Sequence, residues 1–261
     1  MITDLRGLTL EDLSHVWLSD IGDRLMDQPE IEHLFHCNDA LWQYPGEPRA
    51  DVPHAITRAE EHTDMFINCM AVLEQVNLCE ILAMQQVLRL EALHFEEIHK
   101  IGMVVDAAYS GTDYGKDIAR LLGLRQGFAP AHRTVEKDVN GNPTKWRGIV
   151  REGQSVLVAN ELMTTPDGST YMAKMAVDGS GAVRADGRKT FVRFFPFAAL
   201  LVNRAYSDDT LVDGMGVAAV LRYRSRTIKV KKGEVCPYCE AGSVAMKPKE
   251  GTNWQNYFSG R

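Results

Sequence analysis

Apolar positions recur with helical spacing over the first hundred residues. Thr9 stands where a helix would be capped, and Asp12, three residues on, can return the cap. Leu10, Leu13, Trp17, Ile21 and Leu25 follow at three- and four-residue intervals, which predicts one helix with a single buried face. Residues 44–53 (YPGEPRADVP) carry three prolines and a glycine and end this lead-in with an irregular connection. The spacing predicts a second helix over 77–93, with Leu78, Ile81, Leu82, Leu88 and Leu93 turned inward.

From residue 100 the period changes. Residues 101–105 form a short apolar run rich in β-branched side chains, which predicts a strand stopping at the turn 108–111 (AYSG). A helix follows, with Gly123 as a suitable C-cap. Residues 128–131 read as another strand, and the polar segment 133–152, with Asn140-Gly-Asn-Pro143, reads as a long loop or a hairpin. Then come an apolar strand over 155–160, a Thr/Ser/Gly-rich stretch over 164–170 and a helix to about residue 177. Two strand–loop–helix units in succession predict an α/β fold with a parallel sheet, and ligands in such sheets bind at the carboxyl ends of the strands. Strand-like runs over 191–202 and 217–230 follow, and no internal repeat is visible.

The 261 residues suffice for one domain or a domain and a half. With 45% apolar and 25% charged residues the composition is that of an ordinary globular protein, which excludes a disordered, collagen-like or coiled-coil chain. The longest uncharged apolar stretch, residues 194–202, is far shorter than the roughly 18 residues a membrane-spanning helix needs, so no membrane partner is expected. The first six residues show no basic region leading into an apolar core, and a cytoplasmic location is the expectation. A net charge of −6 disfavours a protein that coats nucleic acid. The basic run Arg222–Lys232, interleaved with Tyr223, is read first as a solvated strand edge, with nucleic acid the less favoured partner.

Most chemistry is carried by residues 156–170. An apolar strand delivers Asn160 and Glu161 at its end, and Thr164-Thr165-Pro166-Asp167-Gly168-Ser169-Thr170 then opens a helix whose free N–H groups and positive dipole end suit a phosphate. A strand–helix turn capped by its own hydroxyls is the plainer alternative. Arg133 and Lys137, upstream, are either a solvated pair or cations able to clamp an anion.

This stretch resembles the ribose-5-phosphate-binding signature of type I phosphoribosyltransferases: a hydrophobic strand, two acidic residues and a Thr-Thr-Gly-Gly-Ser-type loop. Residues 133–141 (RTVEKDVNG) are similar to the mobile catalytic loop of the orotate enzymes, residues 107–111 (AAYSG) occupy the place of the pyrophosphate loop, and residues 54–68 (HAITRAEEHTDMFIN) look like the N-terminal substrate segment. The collinear matches span roughly residues 54–178 and lie nearest the orotate branch. The resemblance implies a five-stranded central parallel sheet flanked by helices. It divides the chain into a helical N-terminal extension (1–53), a phosphoribosyltransferase-like core (54–205) and a small C-terminal β segment (206–261).

It further implies a protein that binds phosphoribosyl pyrophosphate with Mg²⁺ and transfers phosphoribose to a nitrogenous base, orotate or a related ring, as a homodimer. In that reading Arg133 and Lys137 clamp the leaving group, and Glu161 binds the ribose hydroxyls. Tyr109, Ser110 and Gly111 meet pyrophosphate or Mg²⁺, and Asn160, Thr164, Thr165, Asp167, Gly168, Ser169 and Thr170 form the phosphate cradle. Several positions depart from the pattern. Asn160 replaces one of the paired acids, the cradle is one residue longer, Pro166 lacks an N–H, Thr134 and Ser110 stand where the orotate enzymes have lysines, and the loop histidine has no clear equivalent beside Asn140. A catalytically silent protein that senses a nucleotide or the pyrophosphate donor is therefore the second reading.

Five cysteines, an odd number without a secretion signal, argue against a disulfide framework. Cys236-Pro-Tyr-Cys239 has the spacing of half a tetrahedral zinc site. Cys37 and His36 are the preferred second pair for a structural Zn²⁺, which would join the two ends of the chain. A redox dithiol and two packed, reduced cysteines are the alternatives; Gly242 and Pro248 oppose the long helix that a redox motif would open.

Overall fold

The computed structural model of the protein describes residues 1–57, 60–107, 112–124, 127–130, 135–137, 143–146, 148–165, 168–205, 211–224, 227–228, 235–251 and 253–258. The apolar runs of the sequence become a central sheet. Five strands lie in the spatial order Gly216–Arg222, Phe197–Asn203, Ser155–Met163, Ile101–Asp106 and Phe128–Pro130, with every neighbouring pair parallel. A short sixth piece, Arg193–Phe194, pairs in parallel with the start of Ser155–Met163.

Successive side chains on these strands enter opposite apolar layers. Val104, Leu157, Ala199, Leu201 and Val220 join a layer with the helices Val76–Ile98 and Thr112–Leu121. Met103, Val105, Val156, Val158, Leu200 and Ala219 pack with Ala173, Ala176 and Val177 of the helix Ser169–Ser180. Burial on both faces is why these strands read as continuous apolar runs rather than as alternation.

The N-terminal helix predicted from apolar spacing is two short helices, Leu10–Ser14 and Leu18–Ile21, and a third, Gln28–Cys37, follows beyond Leu25. The Thr9–Asp12 capping box forms, with N–H···O distances of 2.9 and 3.2 Å. However, Asp20 accepts a 2.9 Å bond from the Trp17 backbone and starts a new helix, which Gly22 ends at φ 68°. Leu10, Trp17 and Leu25 are consequently half exposed, while Leu13, Ile21, Ile31, Leu34 and Phe35 are buried against the sheet's helical layer.

The second helix runs over Val76–Ile98, longer than predicted, and buries Leu78, Ile81 and Leu82 as expected. Val87 and Leu90, rather than Leu88 and Leu93, complete its core face. Two glutamines, Gln85 and Gln86, are also fully buried on it. Gln86 accepts from Tyr114 Oη at 3.0 Å and donates to the Ala218 carbonyl at 3.1 Å, so a satisfied polar network ties the helix to the sheet.

The polar segment after Pro130 contains a hairpin, with Val135–Lys137 antiparallel to Pro143–Trp146. Strand Gly216–Arg222, expected within the C-terminal segment, forms one edge of the central sheet. A second, small sheet has the order Thr227–Ile228, His62–Thr63, His54–Ile56 and Ala245–Met246. It encloses an aromatic cluster in which Trp42 meets Tyr257 at 4.5 Å and Tyr44 meets Tyr238 at 4.7 Å between ring centres. Among the described residues no helix is long and apolar enough to cross a membrane.

Candidate functional site

The strand order creates the site. From Ile101–Asp106 the chain moves outward to Phe128–Pro130, then returns to Ser155–Met163 on the opposite side of Ile101–Asp106. In open parallel sheets, such a reversal opens a crevice beyond the carboxyl ends of the two diverging strands. Polar side chains gather there. Asp106 ends its strand opposite Ala159, Asn160 and Glu161 follow on the neighbour, and Asn203 ends the next strand opposite Met163. Asp106, Asn160, Asn203 and Arg204 are all buried, and burial pulls the Arg204 guanidinium below its ordinary value. Arg204 donates to Thr63 Oγ1 at 3.0 Å, linking the strand end to the small sheet. Gly115 lets the helix Thr112–Leu121 close against this edge, since a Cβ there would sit 2.6 Å from Asp106 Oδ2.

Asn160 organises the loop that follows it. Its Nδ2 donates to the Leu162 carbonyl at 3.1 Å, to Ser169 Oγ at 2.8 Å and to Thr170 Oγ1 at 2.9 Å. A carboxylate could still accept from the Ser169 and Thr170 hydroxyls, but it could not donate to the Leu162 carbonyl as the amide does. Asn160 thereby binds the strand end to the first turn of the helix Ser169–Ser180, whose start at Gly168 has no side-chain cap bond. Gly168 N–H donates to the Thr165 carbonyl at 3.2 Å, next to the free N–H groups of the helix's first turn. The Glu161 carbonyl accepts from Cys69 Sγ at 3.6 Å, fixing the backbone beneath the carboxylate.

No family model matches the chain. The orotate phosphoribosyltransferase of Sulfurovum sp. (strain NBC37-1) is 27% identical over 199 residues, covering 75% of this chain and 90% of that one. The orotate phosphoribosyltransferase of Heliobacterium modesticaldum (strain ATCC 51547 / Ice1) is 23% identical over 227 residues, with 87% and 100% covered. These curated relatives support a type I phosphoribosyltransferase, close to the orotate enzymes. Among solved structures, the orotate phosphoribosyltransferase from Aeropyrum pernix matches with a TM-score of 0.46 at 14% identity, covering 74% of this chain and 93% of that one.

Of the residues expected at a phosphoribosyltransferase site, the structure brings Asn160, Ser169 and Thr170 into direct contact. Thr164 and Thr165 are exposed on the loop, Gly168 opens the helix, and Glu161 is half buried at the strand end. Tyr109, Ser110, Gly111, Arg133 and Asp167 lie outside the described residues, and Lys137 is described only as part of its strand. Asp106, Gly115 and Arg204 escaped the sequence reading. The visible signal for Asp106 was an acid closing an apolar run, whereas Gly115 and Arg204 reach the site only through packing of distant segments.

A second cluster lies under the small sheet. His54, His62, Cys236 and Cys239 bring one ligand atom each to within 4.8 Å of one another. Cys37 and His36, expected as partners of the Cys236–Cys239 pair, are not in this group. Cys37 Sγ instead lies 3.4 Å from His33 Nε2, and His36 is exposed on the helix Gln28–Cys37. The substitution follows from hairpin register. His62 pairs across from Ile56, which puts it diagonal to His54 on the same face. Ala245 then pairs with His54 and sets the Cys236–Cys239 turn beside both rings. Burial, with neighbouring His62 adding to it, pushes His54 down to about 4, so its imidazole is neutral near pH 7.

Proposed function

We propose that this protein transfers phosphoribose from phosphoribosyl pyrophosphate to a nitrogenous base, orotate or a related ring. The observation that carries the reading is the bond set of Asn160, which ties Ser169 and Thr170, at a helix start with no side-chain cap bond, to the end of the strand Ser155–Met163. That arrangement suits the 5′-phosphate of a ribose, with Thr164, Thr165, Gly168, Ser169 and Thr170 as its contacts. Glu161, next along the strand, would accept from the ribose hydroxyls. Arg133 and Lys137 would clamp the departing pyrophosphate, and Tyr109, Ser110 and Gly111 would meet pyrophosphate or Mg²⁺.

The donor set also suits Mg²⁺. Asp106 and Glu161 offer hard carboxylate oxygens at adjacent strand ends, the ligand type this ion takes while keeping water and substrate phosphate in its shell. Bound with the donor, the ion would supply charge neutralisation to the pyrophosphate. The orotate branch further points to a homodimer.

Calorimetric titration with phosphoribosyl pyrophosphate and Mg²⁺, then a pyrophosphate-release screen over a panel of bases, tests this. Binding with turnover on one base is expected, and absence of binding at millimolar donor overturns the assignment. Glu161→Ala and Lys137→Ala should each lower turnover at least about tenfold, roughly 1.4 kcal/mol of transition-state stabilisation, while Arg188→Ala leaves it unchanged. One observation favours a silent, donor-sensing protein as the second reading: Asn160 stands where the family pattern has an acid and spends its amide on the loop. Binding without turnover would select it.

A further inference from the structure

We infer that His54, His62, Cys236 and Cys239 hold a four-coordinate structural zinc ion that fastens the C-terminal segment to the hairpin 54–63. Zn–S bonds of about 2.3 Å and Zn–N bonds of about 2.0–2.1 Å, set tetrahedrally, give S···N edges of about 3.6 Å. Cys239 Sγ lies 3.6 Å from His54 Nε2 and 3.6 Å from His62 Nδ1, and Cys236 Sγ lies 3.9 Å from His54 Nε2. Three edges of the tetrahedron are thus already drawn. A fourth of the six edges, His54 Nε2 to His62 Nδ1, is a 2.7 Å hydrogen bond, and a ring shift of well under 1 Å opens it to the roughly 3.3 Å that a metal requires.

The surroundings orient these groups as ligands. Ser243 Oγ donates to the Val52 carbonyl at 2.6 Å, so its lone pair accepts from His54 Nδ1–H at 2.8 Å. This places the proton on Nδ1 and the lone pair of Nε2 toward the two sulfurs, the outer-shell device that fixes metal-bound imidazoles. The Cys236–Cys239 turn is closed by Glu240 N–H on the Cys236 carbonyl at 2.9 Å and Gly242 N–H on the Cys239 carbonyl at 3.0 Å, and Gly242 takes φ 85°. A redox dithiol would open a long helix. Here the helix is the single turn Pro237–Glu240, and two imidazoles face the sulfurs.

Four protein ligands leave no coordination position for substrate, so the ion is structural. Binding displaces both thiol protons to solvent and moves the His62 Nδ1 proton to Nε2. His62 neighbours Thr63, whose hydroxyl accepts from Arg204, so the same clasp steadies the buried arginine beside the sheet's carboxyl edge.

The test is metal analysis of the full chain purified without added zinc, with Co²⁺ substitution as a second readout. About one equivalent of zinc is expected, and the Co²⁺ form should show thiolate charge-transfer and strong visible bands of a tetrahedral S₂N₂ site. Cys239→Ser and His62→Ala should each lower retained zinc at least about tenfold, in line with the cost of losing a ligand or its orientation. His62→Cys, which restores a fourth ligand, should retain zinc. Cys37→Ser and His36→Ala should leave the metal content unchanged. Less than about 0.2 equivalents after reloading, weak octahedral Co²⁺ bands, or loss of metal in Cys37→Ser would each overturn the assignment.

Discussion

In the central sheet, strand Ser155–Met163 buries Val156, Leu157, Val158 and Ala159 between two helical layers. In the small sheet, by contrast, the four strands Thr227–Ile228, His62–Thr63, His54–Ile56 and Ala245–Met246 are two or three residues long. Strands that short bury little aliphatic surface, and small units of this kind gain order from staples rather than from a core. The aromatic cluster around Tyr238 and Tyr257 covers part of the deficit, and the His54–His62–Cys236–Cys239 clasp is placed to cover the rest. One region is stabilised by removing area from water, the other by a few directional contacts between segments almost two hundred residues apart. Errors in the first should be graded and global, and errors in the second abrupt and local.

Withdrawing the metal with a chelator is the hardest blow to that contrast, since structural zinc contributes on the order of 10 kcal/mol to the units it folds. Hydrogen exchange should then lose protection over 54–63 and 236–246 while 155–163 stays protected; uniform loss across both regions would merge them. Leu157→Ala removes a fully buried side chain and should lower global stability by about 2–5 kcal/mol in urea unfolding, with zinc retained. A loss below about 1 kcal/mol would mean that this layer collapses more freely than its packing implies.

Gly115→Ala sets two effects against each other. The new Cβ would meet Asp106 Oδ2 at 2.6 Å and Phe128 Cε2 at 3.1 Å, an overpacking worth about 1–3 kcal/mol, while alanine in a helix returns about 1 kcal/mol. A net loss of about 1 kcal/mol is expected in the same urea assay, and a gain would show that the helix can retreat from the strand end. Tyr257→Phe removes one hydroxyl that donates to the Met246 carbonyl at 2.8 Å and lies 3.2 Å from that of His54. Its effect, about 0.5–1 kcal/mol, should appear as faster exchange within 54–56 and 245–246 alone.

The two regions were also unequally legible. The strand–loop–helix order around residues 101–121 and 155–177 is visible because a two-sided strand and an amphipathic helix leave different periods in sequence. The Thr/Ser/Gly-rich stretch 164–170 stands out for another reason: its residues are neighbours in the chain. The N-terminal helices misled because Leu10, Trp17 and Leu25 keep the spacing of one helix although Asp20 and Gly22 divide it. The buried Gln85 and Gln86 could not be anticipated, because a polar residue reads as exposed until its partners, Tyr114 and Ala218, are in place.

The Cys236–Cys239 pair shows the division most plainly. Its spacing announces half of a tetrahedral site, but spacing carries no information about the other half. Cys37 and His36 were plausible because they are adjacent ligand types, yet adjacency along a helix decides nothing about which distant segment faces the turn. Periodicity and short motifs, being local, make the helix around residues 77–93 and the parallel strands legible and supply the residue types of the loop 164–170. The ligand set, the switch point beside Asp106 and the reach of Arg204 to Thr63 are decided by strand order and register, which bring together side chains that no local pattern relates.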